Sequence, residues 1–255
     1  MIKSLLQLEE LKDWKHDLDS PETTILHGEI VRKKPFLKRL YKEWYALFKK
    51  ESQSLPEGIR LELGSGAAFI KEYIPAIITT DVLPLPNIDR VMSAEKLDFP
   101  DNSISGIFMI DVLHHIPHPA YFLKEAERCL FKGGKIILIE PANSWWGRFI
   151  YQNFHHEPFD PKAGWELEAT GPLSGANGAM PWIILERDRQ LFKEKFPELS
   201  IQSIRYHTPF RYLLSGGVSM KSLVPGWSFS FFSWVDRMAS NVGFSMFQTA
   251  IIKKS

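Results

Sequence analysis

The chain has 255 residues, with 31 Lys+Arg against 30 Asp+Glu, a net charge of +1, and 24% charged residues overall. That length holds one elaborated domain or two small ones, and the near-neutral balance argues against a surface that coats nucleic acid. One cysteine (Cys129), an acidic N-terminus and the lack of a long apolar run exclude a disulfide framework, a secretory signal and a membrane span, so a soluble, cytoplasmic globular protein is expected.

Residues 1–55 read as an N-terminal helical cap. Within it, 35–48 form an amphipathic helix, with Leu37, Leu40, Tyr41, Trp44, Tyr45 and Phe48 at three- and four-residue spacing. Between Ile30 and Lys50 eight basic residues stand against one acidic residue. The basic stretch 32–50 suits an anionic substrate or peripheral membrane contact, against the commoner reading of a solvated face. Leu55-Pro56-Glu57-Gly58 breaks the chain, and 56–255 read as one domain.

From Ile59 the rhythm is strand, turn, helix. Ile59–Leu63 is a short apolar strand, Gly64-Ser65-Gly66 a tight turn, and 67–73 the start of a helix that stops near Pro75. Strands follow at Ile77–Asp81, Arg90–Met92 and Ile104–Ile110. Residues 119–130 form a helix capped by Gly133-Gly134, and Lys135–Glu140 a strand whose continuous apolar run buries both faces. A loosely patterned insertion, 142–185, reads as a lid that Gly171, Gly175 and Gly178 could hinge. A helix (188–196), a strand (199–207) and a last strand (Met246–Lys253) complete the chain. From Ser222 to Ile252 only Asp236 and Arg237 are charged, while aromatic residues crowd together. The alternation predicts a mostly parallel sheet covered by helices on both faces.

The sharpest motif is Glu62-Leu63-Gly64-Ser65-Gly66-Ala67-Ala68 at the end of the first strand. Glycines there allow a tight turn and close approach of a ligand to the backbone. Asp81 ends the next strand, where a carboxylate can accept both hydroxyls of an adenosine ribose. Phe69 occupies the third glycine position of the dinucleotide fingerprint, so a nucleotide-dependent oxidoreductase is the weaker alternative.

At these residues the sequence resembles the class I S-adenosylmethionine-dependent methyltransferases, in particular the type 11 domain family. Glu62, Gly64 and Gly66 match its first motif, with Ala68 where a last glycine is usual. The resemblance runs from about 59 to 141. It includes Ser93-Ala94-Glu95 as the adenine segment, with Ser93 in place of the usual Asp. It also takes in Asp111-Val112-Leu113-His114-His115-Ile116 at the fourth strand and Leu130-Phe131-Lys132-Gly133-Gly134 before the fifth.

The resemblance implies a Rossmann-like seven-stranded sheet whose antiparallel last strand is inserted beside the sixth. It implies S-adenosylmethionine as cofactor, with Glu62 at the aminoacyl end, Gly64, Ser65 and Gly66 as the turn and Asp81 on the ribose. Val82, Ser93, Ala94 and Glu95 would line the adenine, and Asp111 would sit near the methionine.

A hydroxyl acceptor must also lose a proton, which suits histidine. His115 in the fourth-strand motif and His155, in the cluster Tyr151, His155, His156, Glu157 and Asp160, are the candidate bases. A metal is not expected, since no His-x-x-x-His spacing occurs. The reading is a methyltransferase for a small-molecule or lipid-linked acceptor, with oxygen the favoured atom. Nucleic acid is not expected as acceptor, because the fourth-strand motif lacks the Asn/Asp-Pro-Pro-aromatic pattern of amino-directed base methylation and the only basic tract is short. A non-catalytic cofactor- or partner-binding protein that keeps the fold is the alternative from another class.

Overall fold

A computed structural model describes residues 6–12, 14–66, 69–155, 157–168, 170–241 and 243–255. Ala68 and His156, singled out above, lie outside the described residues. A seven-stranded sheet runs through the centre in the order β3-β2-β1-β4-β5-β7-β6. Strands β1 (Ile59–Glu62), β2 (Ile78–Asp81), β3 (Arg90–Val91), β4 (Ile104–Ile110) and β5 (Leu130–Pro141) pair in parallel. β7 (Phe247–Lys254) lies antiparallel between β5 and β6 (Leu199–His207). This is the Rossmann-like sheet expected from the sequence, with its antiparallel last strand.

The helices are α1 (Glu9–Lys12), α2 (Pro21–Lys33), α3 (Pro35–Ser52), α4 (Pro119–Cys129), α5 (Trp145–Phe154), α6 (Met180–Trp182), α7 (Arg189–Lys195), α8 (Arg211–Ser215) and α9 (Phe229–Ala239). The sheet separates two apolar cores, and β5 shows why. Its residues 136–139 are all apolar and fully buried; Ile136 and Leu138 enter one core, Ile137 and Ile139 the other. α3 closes the second core. Its stripe of Phe36, Leu37, Leu40, Trp44, Tyr45 and Phe48 is buried, each side chain contributing about 1.5–3 kcal/mol.

Two local expectations fail. After the glycine turn the expected helix of 67–73 is reduced, among the described residues, to one 3-10 turn, Ile70–Glu72, stopped by Pro75. The cap of α4 is Leu130 in extended conformation rather than Gly133-Gly134, because β5 begins at that residue. α2 was not legible as a separate helix within the N-terminal cap. Its apolar residues do not form one stripe, and its start rests on Ser20, whose Oγ accepts the Thr23 N–H at 3.2 Å ahead of Pro21.

The 142–185 segment begins with α5 and ends in the core, where Met180, Ile183, Ile184 and Leu185 are fully buried. Between them its loop is tied to the N-terminal region. Asp19 accepts the N–H groups of Leu173 and Ser174 at 2.7 and 2.8 Å and the Ser174 hydroxyl at 2.6 Å. A Cβ on Gly171 would come within 2.0 Å of Asp19 Oδ2, so this glycine permits a close approach. Cap and insertion thus meet, and both line one cavity above the strand ends.

Candidate active site

The cavity has a volume of about 1130 Å³. At one end stands the turn after β1. Gly64 has φ +59°, and a Cβ on it would meet Val112 Cγ2 at 2.5 Å, so only glycine fits. Ser65 N–H donates to Thr80 O at 2.8 Å, and Gly66 N–H to Asp81 Oδ2 at 2.9 Å, which locks the turn onto the end of β2. The other Asp81 oxygen accepts Leu83 N–H at 3.0 Å, and each oxygen keeps a further accepting lone pair. Burial raises the Asp81 carboxyl above its usual range.

Glu62 is buried at the tip of β1, and its Oε2 has no hydrogen-bond partner among the described residues. Burial, with Asp81 nearby, pushes its carboxyl up to about 8 despite a hydrogen bond to Ser65. Asp111, just past β4, has φ +54°, a costly conformation for a non-glycine residue, and lines the cavity. Burial pushes it up to about 8 as well, with Glu140 and Glu157 adding to the rise and His114 opposing it.

Val82 is half exposed, Ser93 exposed, and Ala94 buried, all beyond the cavity wall but next to the end of β2. Met92 N–H donates to Asp81 O at 2.8 Å, which brings the 93–95 segment to that strand end. Glu95 Oε1 accepts the His118 N–H at 2.8 Å and faces its ring Nδ1 at 3.2 Å, so its carboxylate is occupied at the start of α4.

The floor of the cavity holds a second set of groups. His114 is buried between two carboxylates, with Nδ1 2.6 Å from Glu140 Oε2 and Nε2 3.4 Å from Glu157 Oε2. Burial alone would depress its pKa. The hydrogen bonds and charges of Glu140 and Glu157 outweigh burial and hold it well above the usual value, so it is a cation. The other Glu140 oxygen accepts the N–H groups of Val112 and Leu113 at 2.9 and 2.7 Å. Burial would raise Glu157, but His114, His115 and His155 hold it below the usual carboxylate range.

His115 is different. Its Nδ1 meets Gly175 O at 3.2 Å and its Nε2 lies 3.7 Å from Glu157 Oε1. Burial, reinforced by the His114 charge, lowers it to about 4, so it is neutral at pH 7. His155 lines the wall with Nδ1 3.6 Å from Glu157 Oε2 and its ring edge-on to Tyr151.

Donor atoms of His114, His115 and Glu157, and of Asp111, His114 and Glu140, lie within 4.8 Å of one another. Of these groups, His114 is already paired with Glu140 and Glu157, and His115 faces Glu157. Asp160 sits apart, accepting Lys162 N–H in a turn.

The structure therefore brings Glu62, Gly64, Ser65, Gly66, Asp111, His115 and His155 to one cavity, and places Asp81, Val82, Ser93, Ala94 and Glu95 at the adjoining strand ends. Glu140 was missed as a site residue. The available signal was a carboxylate at the tip of a doubly buried strand, which demands a partner. Much of the rest of the wall is aromatic and apolar, including Tyr41, Tyr45, Phe69, Ile150, Tyr151 and Phe247.

An adenosyl cofactor with a cationic amino-acid end fits this end of the cavity. The orphaned Glu62 oxygen awaits a donor, the Gly64 turn excludes any side chain, and Asp81 offers two accepting oxygens. Residues 61–138 match the family model described as a methyltransferase domain. No curated protein sequence matches the chain.

Among solved structures, the geranyl diphosphate C-methyltransferase of Streptomyces coelicolor A3(2), bound to Mg²⁺, geranyl diphosphate and S-adenosyl-L-homocysteine, is similar at a TM-score of 0.52 and 12% identity. That alignment covers 98% of this chain and 90% of that one. A geranyl diphosphate methyltransferase bound to S-adenosylmethionine gives 0.53 and 12%, over 90% of each chain. A chain from the Haloferax volcanii complex of the Trm112 methyltransferase activator with a methyltransferase gives 0.51 and 11%, over 94% and 99%. At such identities the likeness speaks for the fold. By the family-model match residues 61–138 form a methyltransferase domain, on the fold that these structures share, and S-adenosylmethionine is the cofactor expected of it.

Proposed function

We propose that this chain moves a methyl group from S-adenosylmethionine to an oxygen of an apolar small-molecule or lipid-linked acceptor. One observation carries the reading: a single cavity joins the glycine turn and its carboxylates to an aromatic chamber with a neutral, oriented His115 on its floor. Bound there, the cofactor supplies an electrophilic methyl group, and the protein's task is largely positioning.

Glu62 accepts from the aminoacyl amine, and Gly64, Ser65 and Gly66 let that end lie against the backbone. Asp81 takes the ribose hydroxyls. Val82, Ser93, Ala94 and Glu95 border the adenine, Glu95 through its backbone. Asp111 would sit near the methionine end of the cofactor. In the acceptor half, Gly175 O holds the His115 Nδ1–H, which leaves Nε2 as the proton acceptor for a hydroxyl. The proton ends on Nε2, where Glu157 at 3.7 Å stabilises the new cation. His155 and His114 hold Glu157 in place.

Calorimetry with S-adenosylmethionine and S-adenosylhomocysteine tests the cofactor half. Binding of both is expected, and no binding by folded protein overturns the reading. For the base, apolar phenols and lipid-linked alcohols are screened for release of S-adenosylhomocysteine. His115→Asn should then keep cofactor affinity and lower kcat by about 10²–10⁴-fold. An unchanged kcat removes His115 as base.

A further inference from the structure

Most large apolar side chains of this protein are buried, but α9 carries a row that is not. Trp227, in the 3-10 turn that leads into the helix, is 83% exposed, Phe231 59%, Trp234 55% and Met238 74%. Their spacing of four, three and four residues places them on one helical face. The opposite face is fully committed: Phe229 is buried against Phe36, and Asp236 is buried against Arg211. Scattered exposed apolar residues are ordinary, whereas a contiguous aromatic row marks an interaction surface.

Three features identify what covers it. First, the row begins at the cavity. Leu223, four residues before Trp227, is 52% exposed and also lines the cavity, so it stands at the rim. Phe154, half exposed, is another rim residue. It ends α5, whose outer face shows Trp145 and Phe149. α5 and α9 pack on the same corner, through the Trp146–Phe210 ring contact and the Asp236 bond to Phe210 N–H.

Second, the charge around the row is positive. Arg39 of α3 donates to Gly226 O and Ser230 Oγ and lies over the Phe229 ring, which fixes the basic edge of α3, with Lys38 and Lys42, beside α9; Arg237 adds to it. The acidic groups nearby, Asp236 and Glu43, both pair with Arg211, and the one negative charge that this trio keeps is outweighed by Lys38, Arg39, Lys42 and Arg237. A second copy docked row to row would oppose like charges, whereas phosphate groups would complement them. Third, two of the four residues are tryptophans, which suit the boundary between headgroups and acyl chains. Among the described residues no helix is long and apolar enough to cross a membrane.

We propose that the outer face of α9 docks the protein on an anionic lipid bilayer, with Trp227, Phe231, Trp234 and Met238 inserted at the headgroup boundary and Lys38, Arg39, Lys42 and Arg237 against the phosphates. The cavity rim at Leu223 and Phe154 then lies next to the lipid, and an apolar acceptor enters from it. The docking itself does not rest on the methyl-transfer reading.

Flotation of the full chain with vesicles of phosphatidylcholine alone, or with phosphatidylserine added, tests it. Binding is expected to the anionic vesicles and to weaken with salt. The combined variant Trp227→Ser, Phe231→Ser, Trp234→Ser should lower partition about tenfold or more while S-adenosylmethionine affinity is unchanged. If that variant fails to fold, quenching of wild-type tryptophan fluorescence by lipids brominated near the headgroup replaces it. No vesicle binding, equal binding by the folded variant, or absence of quenching overturns the proposal. So does a concentration-dependent dimer that the variant abolishes without vesicle binding, which would assign the face to a second copy.

Discussion

Two charge clusters, each built on buried groups, do different things. Around Arg211, the guanidinium Nε meets Asp236 Oδ2 and its Nη1 meets Glu43 Oε2, both at 2.6 Å, while Phe210 N–H donates to Asp236. Phe229 lies under the guanidinium. Each charge has its partner, and the cluster ties α3, α8 and α9 together. At the strand tips, Glu62 has an unpartnered oxygen, and both Glu62 and Asp111 are held near pKa 8. The contrast teaches how to tell structure from site by bookkeeping of partners. A satisfied network holds the fold, and an unsatisfied one waits for a ligand whose positive charge completes it.

The largest expected effect lies in the satisfied cluster. Asp236→Ala leaves Arg211 buried with one partner fewer and should cost about 3–5 kcal/mol of stability. Denaturant unfolding measures that loss, and calorimetry on the folded fraction should find S-adenosylmethionine affinity unchanged. A fall in affinity would show that the two clusters are coupled and would break the comparison.

Asp81 is the intermediate case, since it both locks the glycine turn and offers lone pairs outward. Asp81→Ala should weaken S-adenosylmethionine binding by about 1–3 kcal/mol, the value of a charged hydrogen bond. Full affinity in the variant would reduce Asp81 to a turn lock for Gly66.

The sequence showed the sheet well because its strands are short apolar runs bounded by turn residues, and β4 and β6 were read to the residue. The glycine turn and Asp81 were legible since backbone geometry restricts those positions. What escaped depends on contacts between distant segments. Glu140 and Glu157 are 17 residues apart, and only folding brings both to His114. α2 escaped because its helicity comes from a cap and from packing rather than from periodicity. The exposed row on α9 was visible only as an aromatic, charge-poor stretch; which residues face out is a property of the helix's packing on Phe36 and Arg211.

The last effect is the most diagnostic, because its sign differs from that of the others. Folded Glu62 has a pKa of about 8 against an ordinary 4.5, so the folded state keeps a proton that the unfolded chain gives up. Stability of the cofactor-free protein therefore falls as pH rises from about 4.5 to about 8 and levels off above it. Glu62→Gln removes that loss. Urea unfolding should find the variant little changed at low pH and more stable at alkaline pH, by up to a few kcal/mol. The same substitution should weaken S-adenosylmethionine binding, since the neutral amide lacks the charge that pairs with the amine. Wild-type affinity should rise as pH increases toward about 8, where the carboxyl ionises, and fall above it as the cofactor's amine loses its charge. A variant that loses stability at alkaline pH would place Glu62 with the Arg211 cluster, as a partnered structural charge.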